Sequence, residues 1–242
     1  MKQQRSTYFD SLILLAVLVV ALWPLVFGMA VMKWDAMDLY LPWKYFITDM
    51  LSQNQLPLWN PFINGGFSQM GDPGTWYPVS WAVAALFGGY SMGSLHFEYL
   101  LHLYLGGLGF YFLLKQFGLA RVSLLSCATG YMLSGVMIGN AQHLGWVVSA
   151  AWLPWIVMYF LRVQQTPSIR SGLQLALVLF LQLSGGYPGM FIVTIYILLG
   201  FFIVESVRQI RAKNYAHYQK QWLFFGISSV IFLLMSSVVL IA

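Results

Sequence analysis

Hydrophobic positions fall into long runs separated by short polar links, with one large exception near the start of the chain. An apolar run at 12–31 gives way to a stretch, 34–78, that mixes aromatic, acidic and turn residues. From Leu95 the apolar runs resume and continue to the last residue. A spanning helix needs about 20 mainly apolar residues. The pattern predicts an all-α, polytopic transmembrane bundle of about seven spans: 12–31, 97–114, 122–139, 144–161, 171–185, 188–207 and a last one from near Trp222 onward. The first run could also be a signal peptide, with Gly28-Met29-Ala30 faintly like a cleavage site, but it is longer than an ordinary signal core. A retained helix is the expectation. The final apolar run reaches Leu240-Ile241-Ala242 with no flanking charge, which predicts an N-terminal piece of a longer chain.

The exception is read as one large loop, 32–96, between the first and second spans of a single transmembrane domain. After Pro42, which suits a first helical turn, Trp43, Phe46, Ile47, Met50 and Leu51 recur at helical spacing and predict an amphipathic helix over 42–51. Lys44, Thr48, Asp49 and Ser52 fall off that apolar face. Such a helix beside a span usually lies in the plane of the membrane surface. Pro57, Asn60-Pro61, Gly65-Gly66 and Asp72-Pro73-Gly74 then impose successive turns. The apolar stretch 78–88 is too short to cross and is expected to be interfacial or re-entrant.

Composition supports this reading. Only 8% of residues are charged and 60% are hydrophobic, against roughly 25% charged in soluble domains. The net charge of +5 does not indicate nucleic acid, because the basic residues sit in short clusters between apolar runs. With a cytoplasmic N-terminus, Lys2, Arg5, Lys115, Arg121, Arg162, Arg170, Arg208, Arg211, Lys213 and Lys220 lie inside and only Lys33 and Lys44 outside. That bias sets the orientation and gathers the loop, 140–143 and 185–189 on the outer side. The single cysteine, Cys127, reads as packing within an apolar helix.

Four of the seven acidic residues, Asp35, Asp38, Asp49 and Asp72, belong to the 34–78 stretch. Asp35 follows the first span directly. A carboxylate at headgroup depth can act as a general base or hold a divalent cation against a phosphate; it can equally cap a helix or stay solvated. Asp38, one helical turn on, would share its face. Asp72 opens an Asp-Pro-Gly turn, which needs no other role. Glu98 and His102 are one turn apart within a span, where ionisable groups are functional or mutually paired; His96 is expected at the interface. His143, after Asn140 and Gln142, could reach a phosphate or sugar hydroxyl or be structural. No dinucleotide, P-loop, C-x-x-C or H-E-x-x-H motif is present.

Several of these residues together resemble the YfhO-like bacterial membrane proteins. They are the Asp35-x4-Tyr40-x-Pro42 spacing, the run Leu56-Pro57-Leu58-Trp59-Asn60-Pro61 before Gly65-Gly66, and Asp72-Pro73 with Tyr77-Pro78. His102 before Gly106-Gly107-Leu108-Gly109, and Gln142-His143-Leu144 before Ala151-Trp152-Leu153-Pro154, continue the likeness, which covers roughly 10–205. Where that family often carries a Gly-His-Pro-Gln-like motif, this chain has Gly186-Tyr187-Pro188-Gly189, so no histidine role transfers and Tyr187 is a weak substitute.

The resemblance implies the GT-C fold of lipid-linked-sugar glycosyltransferases, in a bacterial cytoplasmic membrane. The donor would be a polyprenyl-phosphate sugar and the acceptor an envelope glycan, teichoic acid or lipid. It maps the catalytic carboxylate onto Asp35, the possible cation ligand, with Asp38 beside it. Tyr40, Trp59, Asn60, Asp72, Trp76, Tyr77, His102, His143 and Tyr187 are the expected substrate-binding residues. Two other function classes fit the pattern: a transporter or flippase of lipid-linked glycans, and a non-catalytic scaffold for envelope assembly.

Overall fold

The computed structural model describes residues 2–241, with side chains from Thr7 onward; Lys2 and Arg5 of the charge pattern fall outside the described side chains, and Ala242 outside the described residues. The chain is mostly helical. In order it forms α1 (Lys2–Ala21), α2 (Trp23–Val26), a wide π turn (Ala36–Tyr40) running into α3 (Leu41–Ser52), the two-residue strands β1 (Trp59–Asn60) and β2 (Phe67–Ser68), a 3-10 turn (Pro73–Trp76) and α4 (Pro78–Phe87). The bundle helices follow: α5 (Met92–Lys115), α6 (Arg121–Met132), α7 (Gly135–Gly139), α8 (Leu144–Gln165), α9 (Ile169–Gly185), α10 (Pro188–Arg211), α11 (Tyr215–Met235) and α12 (Ser237–Ile241).

Among the described residues four segments are long and apolar enough to cross a membrane: Met92–Lys115, Arg121–Gly139, Leu144–Gln165 and Pro188–Arg211. Thr7–Ala21 and Ile169–Gly185 are apolar but shorter. The predicted first run, 12–31, is not one helix. It begins earlier and stops at Ala21, because Pro24 lacks an N–H and its ring would clash with the carbonyl one turn back. The stretch expected not to cross, 78–88, is the ten-residue α4, closed by Gly88 at positive φ.

α5 and α8 form the centre of the bundle. Gly106 and Gly109 let them approach: an added Cβ at Gly106 would lie 3.3 Å from the Ala151 backbone, and one at Gly109 would run into the Trp155 indole. Leu95, Tyr99, Leu103, Val147, Val148, Ala151 and Ile156 fill the space between them and their neighbours. α9 packs on α8, and α11 on α9.

Polar contacts sort the two ends. At one, Arg121 Nε donates to Asp10 Oδ1 (2.7 Å) and Lys115 Nζ to Thr7 Oγ1 (2.6 Å), tying α1 to α5 and α6. His217 and Gln221 of α11 both reach the Gln164 carbonyl there. The other end carries the long loop. The Gly145 amide of α8 donates to Tyr40 Oη (3.2 Å), and the Tyr187 amide before α10 donates to Ser149 Oγ (2.8 Å).

α3 forms where the spacing predicts it, but its buried face differs. Lys44, Ile47 and Thr48 are the buried residues, while Trp43, Phe46, Met50 and Leu51 are only partly covered. The helix is rotated toward a carboxylate on α5, and that interaction decides which side is inside.

Candidate functional site

The loop enters the bundle through Trp34, a non-glycine residue at positive φ (60°), whose carbonyl accepts the amides of Met37 and Asp38. The π turn that follows brings Asp35 to the start of α8. Its Oδ2 lies 3.1 Å from His143 Nδ1, with the two side chains 49% and 34% exposed. A catalytic pair needs this combination of a fixed partner and solvent access.

Beside this pair is a pocket of about 200 Å³ lined by Tyr40, Trp43, Lys44, Asp72 and Tyr187 and by backbone of Gly145 and Gly186. The starts of α8 and α10 border it; the Gly145 amide there is taken by Tyr40 Oη, the Gly186 amide by the Gln182 carbonyl and the Tyr187 amide by Ser149 Oγ, so the helix ends contribute their dipoles rather than free donors. Asp72 caps the 3-10 turn by accepting the Gly74 amide (2.9 Å). Burial pushes its carboxyl up to about 6, against the pull of that amide. Burial also raises the Tyr40 phenol, partly offset by the Gly145 amide, and the carboxylates of Asp35 and Asp72 add to the rise. A row of rings links the Asp35 pair to the pocket: His143 against Trp146, and Trp146 against Tyr187, each at 5.6 Å between centroids.

A buried polar network lies beneath the pocket. Lys44 Nζ donates to Glu98 Oε1 (2.8 Å) and to Ser80 Oγ; Ser80 Oγ donates to the same carboxylate oxygen (2.9 Å), and Tyr90 Oη donates to Oε2 (2.6 Å). The Lys44 and Glu98 side chains are 11% and 0% exposed. His102 is fully buried, with Nδ1 2.7 Å from the Glu98 main-chain carbonyl. That contact places the proton on Nδ1 and leaves Nε2 to accept from Tyr77 Oη, which in turn accepts from Trp152 Nε1 (2.9 Å). Burial, with Glu98 nearby, holds the Tyr77 phenol well above its usual range.

The structure thus brings Asp35, Tyr40, Asp72, His143 and Tyr187 to one end of the bundle, with Tyr77 and His102 behind them; Tyr40, Asp72 and Tyr187 line the pocket, whereas Asp35 and His143 lie outside its lining. Of the two readings of Glu98 and His102, mutual pairing is realised only through the Glu98 main chain, and the Glu98 carboxylate pairs with Lys44. Asp38 is exposed and away from the pocket lining. Trp59 (57% exposed) lies over Gly66 on the small hairpin, and the buried Asn60 accepts the Phe62 amide (2.9 Å). Trp76 donates to the Met70 carbonyl (2.8 Å) and packs edge-on to Trp81. These three shape the loop and lie outside the pocket. His96, expected at an interface, is buried and accepts the Met32 amide (3.3 Å). No three His, Cys, Asp or Glu side chains converge to hold a metal ion among the described residues.

Lys44 is the site residue that periodicity misses. As a lone cation on a short amphipathic helix it reads as a solvated position, and its partner is 54 residues away. No family model, curated protein or solved structure matches the chain.

Proposed function

We propose that the protein is a multi-pass membrane glycosyltransferase of the YfhO-like, GT-C type. Its seven spans run from a cytoplasmic N-terminus, and the long loop lies on the outer face. It moves a sugar from a polyprenyl-phosphate donor to an envelope glycan, teichoic acid or lipid. The observation that carries this reading is the half-exposed Asp35–His143 pair beside a small pocket containing a buried cation and two helix starts.

In the proposed reaction an acceptor hydroxyl meets Asp35, and His143 fixes the carboxylate's orientation. The acceptor oxygen forms a bond to the anomeric carbon as the bond from that carbon to the phosphate oxygen breaks. The acceptor proton passes to Asp35, and polyprenyl phosphate leaves. Helix starts favour an anionic group. Lys44 supports it from the floor, and the raised carboxyl of Asp72 donates to it when protonated. Tyr40 and Tyr187 supply ring faces for the sugar or the isoprenoid. Among the described residues Asp35, with His143 beside it, would hold a divalent cation if the reaction uses one, and Lys44 shares the charge on the leaving group.

The test is donor consumption. Purified protein in lipid is given polyprenyl-phosphate sugar and isolated envelope glycan. Release of polyprenyl phosphate with a matching mass gain on the acceptor is expected. Donor crossing the bilayer unreacted would favour a flippase, and tight donor binding without release would favour a scaffold.

A further inference from the structure

We infer that the acceptor is an anionic phospholipid whose headgroup carries a free hydroxyl, held in a second cleft between α2, α7 and the start of the loop. This assignment rests on the glycosyl-transfer reading. The cleft encloses about 450 Å³, and Lys33, Trp34 and Gln142 form its polar part. Trp34 precedes Asp35, and Gln142 precedes His143. Tyr40 and Gly145, further along the same two segments, line the first pocket. Each segment therefore passes from the cleft through the ion pair to the pocket. Gln142 Nε2 also lies 3.3 Å from His143 Nε2, which joins the wall of the cleft to the pair. With the donor headgroup in the first pocket, the cleft is the side from which a hydroxyl reaches Asp35.

The polar groups of the cleft are open, and their charge selects an anion. In the proposed orientation only Lys33 and Lys44 are basic on the outer side. Lys44 is taken by Glu98, whereas Lys33 is exposed and makes no ion pair among the described residues. An ammonium that runs against the positive-inside bias and has no carboxylate beside it is matched by an anion from outside the chain. The Trp34 indole, 72% exposed, makes no hydrogen bond among the described residues and adds a second donor. Its main chain is held at positive φ, where a bulky residue is rare and which recurs at ligand sites. Gln142 Oε1, likewise without a partner among the described residues, can accept from a headgroup hydroxyl.

The remaining walls are apolar and include Leu22, Leu25 of α2, Val31 and Ile138 of α7. Val31 is 51% exposed. Donors for a phosphate thus stand beside surface for an acyl chain. A soluble phosphate ester would use only half of that arrangement, so a membrane lipid is the better match. In the reaction the hydroxyl oxygen of the lipid headgroup bonds to the anomeric carbon and its proton passes to Asp35. Polyprenyl phosphate leaves, and the product is a glycosylated phospholipid.

The purified full chain tests this in two steps. Native mass spectrometry without donor compares phosphatidylglycerol with phosphatidylcholine of the same acyl chains. Phosphatidylglycerol should stay bound under activation that strips phosphatidylcholine. Lys33→Gln, at an exposed position where folding is not at stake, should weaken that binding about tenfold, as loss of one charge-assisted contact would, and Lys33→Arg should restore it. Equal retention of the two lipids would overturn the proposal. So would undiminished retention in Lys33→Gln, or equally tight binding of glycerol phosphate without acyl chains. Polyprenyl-phosphate sugar is then added, and phosphatidylglycerol should gain the mass of one sugar. A gain on teichoic acid or glycan with none on phosphatidylglycerol would overturn the proposal and leave glycosyl transfer standing. No donor consumed with any acceptor would overturn the transfer reading itself and take the acceptor role with it.

Discussion

Two ion pairs join the loop to the bundle, and they differ in nearly every physical respect. Lys44–Glu98 is 2.8 Å long, almost wholly buried, and held further by Ser80 and Tyr90. Asp35–His143 is 3.1 Å long and a third to a half exposed. The first leaves no room for a substrate to reach the Glu98 carboxylate. The second leaves one carboxylate oriented and accessible. In the proposed reaction the buried pair supplies the rigidity and the open one the chemistry.

The contrast can be broken most severely at the buried pair. Glu98→Ala leaves the Lys44 ammonium without its partner and should destabilise the protein by about 3–5 kcal/mol. Thermal unfolding in detergent checks this. The double variant Lys44→Met/Glu98→Leu should recover most of the loss, since an apolar pair of similar volume often replaces a buried ion pair at little cost.

A smaller effect is expected at the pocket wall. A Cβ on Gly186 would run into Ser149 Oγ and the Gln182 carbonyl. Gly186→Ala should therefore cost about 1–3 kcal/mol through forced backbone movement, and donor affinity should fall with it.

Asp72 gives a pH signature. Its folded-state carboxyl is raised to about 6 from 3.8, so the folded protein holds that proton more tightly than the unfolded chain. Stability should rise as pH falls from about 6 toward 4 and be lost again as pH climbs through 6. The expected swing is about 1–2 kcal/mol, from roughly 1.4 kcal/mol per pH unit less partial solvent screening. Asp72→Asn should flatten that part of the stability–pH curve.

The smallest stability effect belongs to the open pair. His143→Ala should change unfolding by less than about 1 kcal/mol, as exposed pairs do. A loss near that of Glu98→Ala would erase the distinction between the two pairs.

The comparison also explains what the sequence reveals. The helix over 42–51 and the shortness of the apolar helix at 78–88 are readable because each depends on local spacing and turn residues. The rotation of α3 is not, because a buried lysine obeys a partner on α5 rather than its own periodicity. Asp35 and His143 can be read singly as candidate residues; their meeting is tertiary and leaves no mark in the spacing. The aromatic motif around Trp59 and Asn60 draws the eye more than any other stretch, yet its buried Asn60 and its ring packing serve the hairpin itself.

Sugar transfer by Asp35→Asn, measured beside thermal unfolding of the same preparation, tests the central claim most directly. The account predicts a rate lower by about 10²–10⁴, the range of a lost general base, with the unfolding temperature nearly unchanged. Transfer at the original rate in a folded Asp35→Asn protein would contradict it.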